Sequence, residues 1–175
     1  FAAALITLVK TIVSPEKAQE LLFWLTGAIG YERAPTLLLA GAGTLAATAV
    51  LVSQGQGLNL LALGDEGAAS LGVDVGRLRT SIFLAASLAV AIAVSLTGLV
   101  AFVGLLVPHL ARLLLGPDQR LLLPASALGG AAFLVLADTA ARVLFGPLGT
   151  ELPVGALTAL AGGPFFLFLL RRRLV

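Results

Sequence analysis

The sequence predicts an all-α protein, a polytopic bundle of transmembrane helices. Of its 175 residues, 59% are hydrophobic and 11% are charged, whereas a soluble domain carries about 25% charged residues. The mean hydropathy is +1.06. Apolar stretches long enough to cross the hydrocarbon core, about 20 residues, recur along the chain. The net charge is only +2 and the basic residues are spread among loops, which argues against a nucleic-acid-binding face.

The beginning of the chain predicts part of a helix. Residues 1–13 are apolar but begin abruptly with Phe1. They lack the basic segment in front and the small cleavage residues behind that mark a signal peptide. We therefore expect this sequence to be the C-terminal part of a longer protein, starting inside a helix.

A short helix is predicted next. Ser14 and Pro15 are typical of a helix start, and the helix would end near Gly27, too soon to cross the bilayer. We expect residues 14–34 to form an extracytoplasmic loop with a short interfacial helix. Trp24 is of the residue type that prefers headgroup depth.

Five further apolar segments are predicted to be spans. The stretch 80–111 would make a single helix of about 48 Å, too long for one ordinary span, so breaks are expected at Gly98 and Gly104. The predicted spans are residues 35–53, 80–98, 101–115, 121–145 and 154–170.

The loops predict the orientation. Alternate loops carry the basic residues Arg77, Arg79, Arg112, Arg120, Arg171, Arg172 and Arg173. Cytoplasmic loops of membrane proteins are enriched in Lys and Arg. Residues 54–79 and the C-terminus are therefore predicted to face the cytoplasm, and residues 14–34 the opposite side.

Several motifs follow one another in a recognisable order. They are residues 58–73 (LNLLALGDEGAASLGV), 104–112 (GLLVPHLAR), 118–124 (DQRLLLP), 136–142 (LADTAAR), 151–155 (ELPVG) and 162–166 (GGPFF). In this order and spacing they resemble the FecCD family, the permease subunits of ATP-binding cassette (ABC) importers for iron chelates and cobalamin.

The resemblance implies a single transmembrane permease domain over residues 1–175, the last five or so spans of a ten-span permease. It implies a second permease copy, as homodimer or pseudo-dimer, a cytoplasmic ATP-binding subunit and an extracytoplasmic substrate-binding protein. The location would be the bacterial plasma (inner) membrane. The chain would import an iron chelate such as a siderophore by alternating access, with haem or cobalamin as alternatives. It would be no enzyme and need no cofactor.

The resemblance also assigns residues 54–79 as the cytoplasmic coupling loop. Asp65 can cap a short helix, Glu66 lies in its first turn and Gly72 just past its end. From the residues alone an ordinary polar loop is the stronger interpretation, and the resemblance favours the coupling surface. The residues assigned to ATPase coupling are Leu63, Gly64, Asp65, Glu66, Ala68, Ala69, Leu71 and Gly72.

Two charged residues fall inside a predicted span. Asp138 and Arg142 are four positions apart, so they can pair on one helix face. Ionisable groups at membrane depth are costly and usually face protein or water. A structural ion pair is the main interpretation, and a role in gating or the translocation path is the alternative.

The remaining candidates are isolated residues. Glu151 in an outer loop could dock a binding protein through complementary charge, or be a solvated acid. His109, the only histidine, is a poor metal site, and it could pair with Asp118 through solvent. No metal site is predicted.

Two other classes of protein are alternatives. An intramembrane hydrolase would need Ser126 or Ser95 as nucleophile and His109 as base, but no nucleophile motif surrounds either serine. An ion-coupled secondary transporter would use Asp138 as its coupling carboxylate. A requirement for an ATPase rather than an ion gradient would separate these classes from the importer.

Overall fold

The computed structural model describes Ala4, residues 14–145 and residues 152–173. The elements between residues 14 and 173 are all helices, in agreement with the predicted fold class. They are α1 (Pro15–Thr26), α2 (Ala34–Ser53), α3 (Gly55–Leu61), α4 (Asp65–Ser70), α5 (Val75–Thr97), α6 (Val103–Leu115), α7 (Gln119–Phe145) and α8 (Val154–Arg173).

The predicted spans all coincide with helices, but they differ in length. Among the described helices, α2, α5 and α7 are long and apolar enough to cross a membrane. The helix α6 has 13 residues, which is about 20 Å and short of the roughly 30 Å of hydrocarbon.

The break between α5 and α6 lies where the sequence predicted it. Gly98 follows α5 with a φ of 66°, the left-handed region that favours glycine. The second predicted break, at Gly104, is wrong because this residue lies inside α6. The start of α5 also differs from the prediction: the helix begins at Val75, since Asp74 caps it by accepting a hydrogen bond from the Arg77 amide at 3.0 Å. Hydropathy alone missed this charged first turn.

The helices pack through small residues. Most of the buried apolar residues are alanines, including Ala47 on α2, Ala85 on α5 and Ala111 on α6. Small side chains let membrane helices approach closely, where dispersion and shape complementarity replace the hydrophobic effect. The main pairs are α2 with α5 and α6 with α7. Large apolar side chains such as Leu114, 84% exposed, point outward, as a bundle in lipid or inside a larger permease requires.

One end of the bundle is closed by backbone contacts, and we call Gly27, Gly98 and Gly155 the glycine junction. The Gly155 amide donates to the Gly27 carbonyl at 3.0 Å, and the Leu99 amide to the Trp24 carbonyl at 3.1 Å. A Cβ on Gly98 would collide with the Trp24 carbonyl oxygen. The junction therefore ties the end of α1 to the end of α5 and the start of α8.

Candidate functional site

The predicted coupling segment is folded as two short helices, α3 and α4, joined by residues 62–64. Gly64 has a φ of 92° and caps α4, its carbonyl accepting from the Ala68 amide at 2.9 Å. The expectation that Asp65 caps this helix is wrong. Asp65 is the first residue of α4, and its Oδ1 accepts a hydrogen bond from Arg79 on α5 at 2.7 Å. The guanidinium has drawn the carboxylate away from the helix end.

The end of α4 has the geometry expected of a glycine stop. Gly72 has a φ of 83°, and its amide donates to the Ala69 carbonyl at 3.0 Å. The Val73 amide donates to the Ala68 carbonyl at 3.1 Å. These two bonds form a Schellman motif, so the helix stops at the place the sequence predicted.

Most of the assigned coupling residues lie on the surface of the chain. Ala68 does not: it is fully buried, so the expectation that it is available to a partner is wrong. Its methyl group instead packs α4 onto the rest of the bundle. The exposed members of the set are Leu63, Gly64, Asp65, Glu66, Ala69, Leu71 and Gly72. Leu63 is 67% and Leu71 58% exposed, so both present apolar side chains on the surface beside α4.

A polar contact holds α3 against the start of α7. The Asn59 Nδ2 donates to Asp118 Oδ1 at 2.6 Å, and the Gln119 amide donates to Asn59 Oδ1 at 2.8 Å. The Asp118 Oδ1 also accepts from the Arg120 amide at 3.0 Å. The Asn59 amide lowers the pKa of the Asp118 carboxyl below its ordinary value, with a smaller contribution from the Arg120 backbone amide.

Sequence reasoning did not single out Asn59. Its partner is 59 positions away, and no local pattern connects the two. The available signals were an amide side chain among leucines and an aspartate directly before a helix. The described contacts of His109 and Asp118 include no direct one between them, and their pairing through solvent stays a prediction. The His109 ring instead meets the Phe165 ring edge-on, with centroids 6.3 Å apart.

The ion pair lies near the opposite end of α7. Arg142 Nε is 2.8 Å from Asp138 Oδ2, and the Arg142 guanidinium also donates to the Ile29 carbonyl at 3.2 Å. It lies 5.8 Å from the centre of the Tyr31 ring. The side chains of Arg142 and Asp138 are 48% and 24% exposed. The pair thus connects α7 to the segment between α1 and α2.

The remaining candidates are Ser95, Ser126, a possible metal site and Glu151. Ser95 donates to the Ile92 carbonyl of its own helix, and Ser126 Oγ is buried without a described partner. Among the residues that the structure describes, no three His, Asp or Glu side chains are grouped to hold a metal ion. Glu151 lies outside the described residues.

Comparison with known proteins identifies the family. The FecCD transport family matches residues 1–172. The chain belongs to that family. Its membership, with three helices long and apolar enough to span, makes it an integral protein of the cell membrane.

Relatives of this FecCD chain include transporters for different compounds. It is 47% identical to the cobalamin import system permease of Halobacterium salinarum, over 87% of this chain and 40% of that protein. It is 42% identical to the hemin transport system permease of Yersinia pestis, over 93% of this chain and 48% of that protein. The chain spans about half the length of the curated relatives that it matches.

A solved structure has the same arrangement of helices. It belongs to a transporter described as an ABC transporter of the metal-chelate type in an inward-facing conformation. The TM-score is 0.83 at 37% sequence identity, and the match covers 97% of this chain and 55% of that one. The helical bundle of this FecCD chain is therefore an arrangement that a longer permease contains.

Proposed function

We propose that this chain is part of the permease subunit of an ATP-dependent importer for a metal chelate. The observation that carries the proposal is the family match along residues 1–172, together with an exposed α4 at one end of the bundle. Relatives named for cobalamin and for hemin are similarly close. The proposed substrate class is therefore a metal ion held by a large organic ligand, of which an iron–siderophore complex is one member.

The proposed partners follow from the same family. A cytoplasmic ATP-binding subunit would seat α4, an extracytoplasmic substrate-binding protein would deliver the chelate, and a second permease copy would complete the path. The shape of α4 supports the first contact. Ala69 is small and exposed, and Leu63 and Leu71 offer apolar side chains on either side of it. Alternating access would then move substrate across the bilayer as the ATP-binding subunits close.

An ion-coupled transporter has less support. Its coupling carboxylate would have to be Asp138, which is already paired with Arg142 at 2.8 Å. A carboxylate that binds and releases an ion must be free to change partners. Uptake that continues after a proton or sodium ionophore is added, and stops without ATP, would separate the two functions.

The substitution Ala69→Arg tests the ATPase contact. It places a long charged side chain on the exposed face of α4 with little change in helix propensity, since Arg is nearly as good a helix former as Ala. In the full-length permease we expect normal membrane insertion, but loss of ATP-binding-subunit co-purification and of ATP-driven uptake into vesicles. Ala69→Ser, of similar size, is the matched control and should retain both. Ala69→Arg behaving like the control would contradict the coupling role of α4.

A further inference from the structure

The contact between Asn59 and the start of α7 gives a hydrogen-bond acceptor to a backbone amide in the first turn of that helix. The first N–H groups of a helix have no partner within it. Here the Asp118 carbonyl accepts from the Leu122 amide at 2.9 Å, which makes Asp118 the cap of α7. The Asp118 side chain accepts a hydrogen bond from the Arg120 amide, and the Asn59 side chain accepts one from the Gln119 amide. Asn59 therefore completes the cap of α7 from another helix.

The fit of α3 against α7 is close along its length. A Cβ on Gly55 would lie 3.2 Å from Arg120 Cα, so the two backbones nearly touch. Leu122, 4% exposed, lies in the first turn of α7. Backbone contact and a shared cap leave little room for α3 to slide along α7.

The links from this segment to α5 are weaker. The Asp65–Arg79 bridge has side chains 54% and 58% exposed, and an exposed ion pair contributes little to stability. The atoms nearest to Gly57 belong to the apolar side chain of Leu78, which offers no directional bond. Asn59, by contrast, bonds to two groups at the start of α7, the Asp118 carboxylate and the Gln119 backbone amide.

We propose that Asn59 is a positioning residue that joins α4 to α7, so that a displacement of α4 by the ATP-binding subunit is delivered to α7. This inference rests on the proposed function. α7 has 27 residues, about 40 Å in length, and its far end carries Asp138 and Arg142. Asn59 holds its place on α7 through bonds to both a side chain and a backbone amide, so α3 and the start of α7 are expected to move together.

The test exchanges the donor and the acceptor of the hydrogen bond between Asn59 and Asp118. Asn59→Asp keeps the size of the side chain but sets one carboxylate against another where Nδ2 and Oδ1 are now 2.6 Å apart. Adding Asp118→Asn to it moves the donor to position 118, where it can face the new carboxylate at position 59. The Gln119 amide keeps its acceptor, while the Arg120 amide, which bonds the same Asp118 oxygen, loses its acceptor. Gln56→Glu makes the same amide-to-carboxylate change at an exposed position of α3 and is the control.

The readouts separate docking from transmission. The full-length permease is reconstituted with its ATP-binding subunit and binding protein, and ATP is the only small molecule that must be supplied. Asn59→Asp should retain co-purification of the ATP-binding subunit, because the exposed surface of α4 is unchanged. Stimulation of ATP hydrolysis by the binding protein should fall about tenfold, as expected for one lost hydrogen bond to a charged group. The exchange double variant should recover most of it.

Three results would overturn the inference. They are full stimulation in Asn59→Asp, an exchange variant as defective as the single one, and loss of ATP-binding-subunit association in Asn59→Asp but not in Gln56→Glu. Where Asn59→Asp lowers the yield of extracted protein, Asn59→Ala removes the bond to Asp118 and also the acceptor of the Gln119 amide. It adds no charge and should give at least as large a fall in stimulation. An unmodified permease that neither associates with an ATPase nor responds to a binding protein would instead contradict the proposed function.

Discussion

The two ends of the helix bundle are held together by different kinds of contact. At the glycine junction the bonds run from backbone to backbone, and added side-chain atoms would collide with carbonyl oxygens. At the end that carries α4, the bonds run through the side chains of Asn59, Asp118, Asp65 and Arg79. Side chains can change rotamer and partner, whereas a packed backbone cannot shift without displacing a helix.

This difference suits a protein that must respond at one end. The partner proposed to bind α4 would meet the exposed Asp65–Arg79 contact, which can re-form after a small movement. At the other end, α1, α5 and α8 share a backbone contact and have to move as one piece. The bundle is therefore expected to be stiff at the glycine junction and where α3 meets α7, and adaptable where α4 meets α5 through the exposed Asp65–Arg79 pair.

The largest effect is expected from Gly98→Ala. The new Cβ would collide with the Trp24 carbonyl oxygen, and the φ of 66° disfavours any side chain. We expect little folded, monodisperse protein after detergent extraction of the full-length permease. Gly130→Ala, at a helical glycine with open space around it, should extract like the unmodified protein. Equal yields and melting temperatures for the two variants would show that the junction is not tight.

A smaller effect is expected from Gly72→Ala at the other end. Gly72 also has a positive φ, 83°, but nothing lies within 4 Å of its missing Cβ. The cost is then conformational only, about 1–2 kcal/mol. A modest fall in melting temperature should result, and Gly72→Asn should recover part of it because Asn tolerates this conformation. A fall in melting temperature as large as that of Gly98→Ala would show that the α4 end of the bundle is packed as tightly as the glycine junction.

The smallest effect is expected from Asp138→Ala. Arg142 keeps the Ile29 carbonyl and the Tyr31 ring as partners, and its side chain is half exposed, so the change leaves no buried, unpaired charge. Melting temperatures of Asp138→Ala, Arg142→Ala and the double variant would measure the pair. The double variant should lose less than the two single losses combined. Strict additivity would mean that the observed ion pair contributes nothing to stability.

Hydropathy and helix-end signals predicted the spans, α1 and α4, but not α3 or the first turn of α5. The apolar stretches indicated the spans, and Gly98 and Gly72 indicated two helix ends, because these depend on neighbouring residues. Contacts between distant segments were not predictable in the same way. Asp65 has the residue type of a helix cap, but Arg79, 14 positions later, determines where its carboxylate lies.

The glycine junction shows the same limit. The chain contains 20 glycines, and nothing in the sequence separates Gly27 and Gly155, which touch other backbones, from Gly130, which has open space. The family resemblance assigned residues 54–79 as a coupling loop, which stays a prediction, and it did not indicate that Ala68 is buried or that Asn59 caps α7. Both depend on how α3 and α4 are seated on the bundle.

The shortness of α6 has a consequence for how the protein enters the membrane. A segment of 13 residues is too short for the translocation machinery to release into lipid as a span of its own, since about 20 apolar residues are needed. Its neighbour α7 is long enough and packs along it. α6 is therefore expected to partition into lipid together with α7 as a helical hairpin. A variant with a shortened α7 should therefore fail to insert either helix, and both should remain on the side of the membrane where the protein is synthesised.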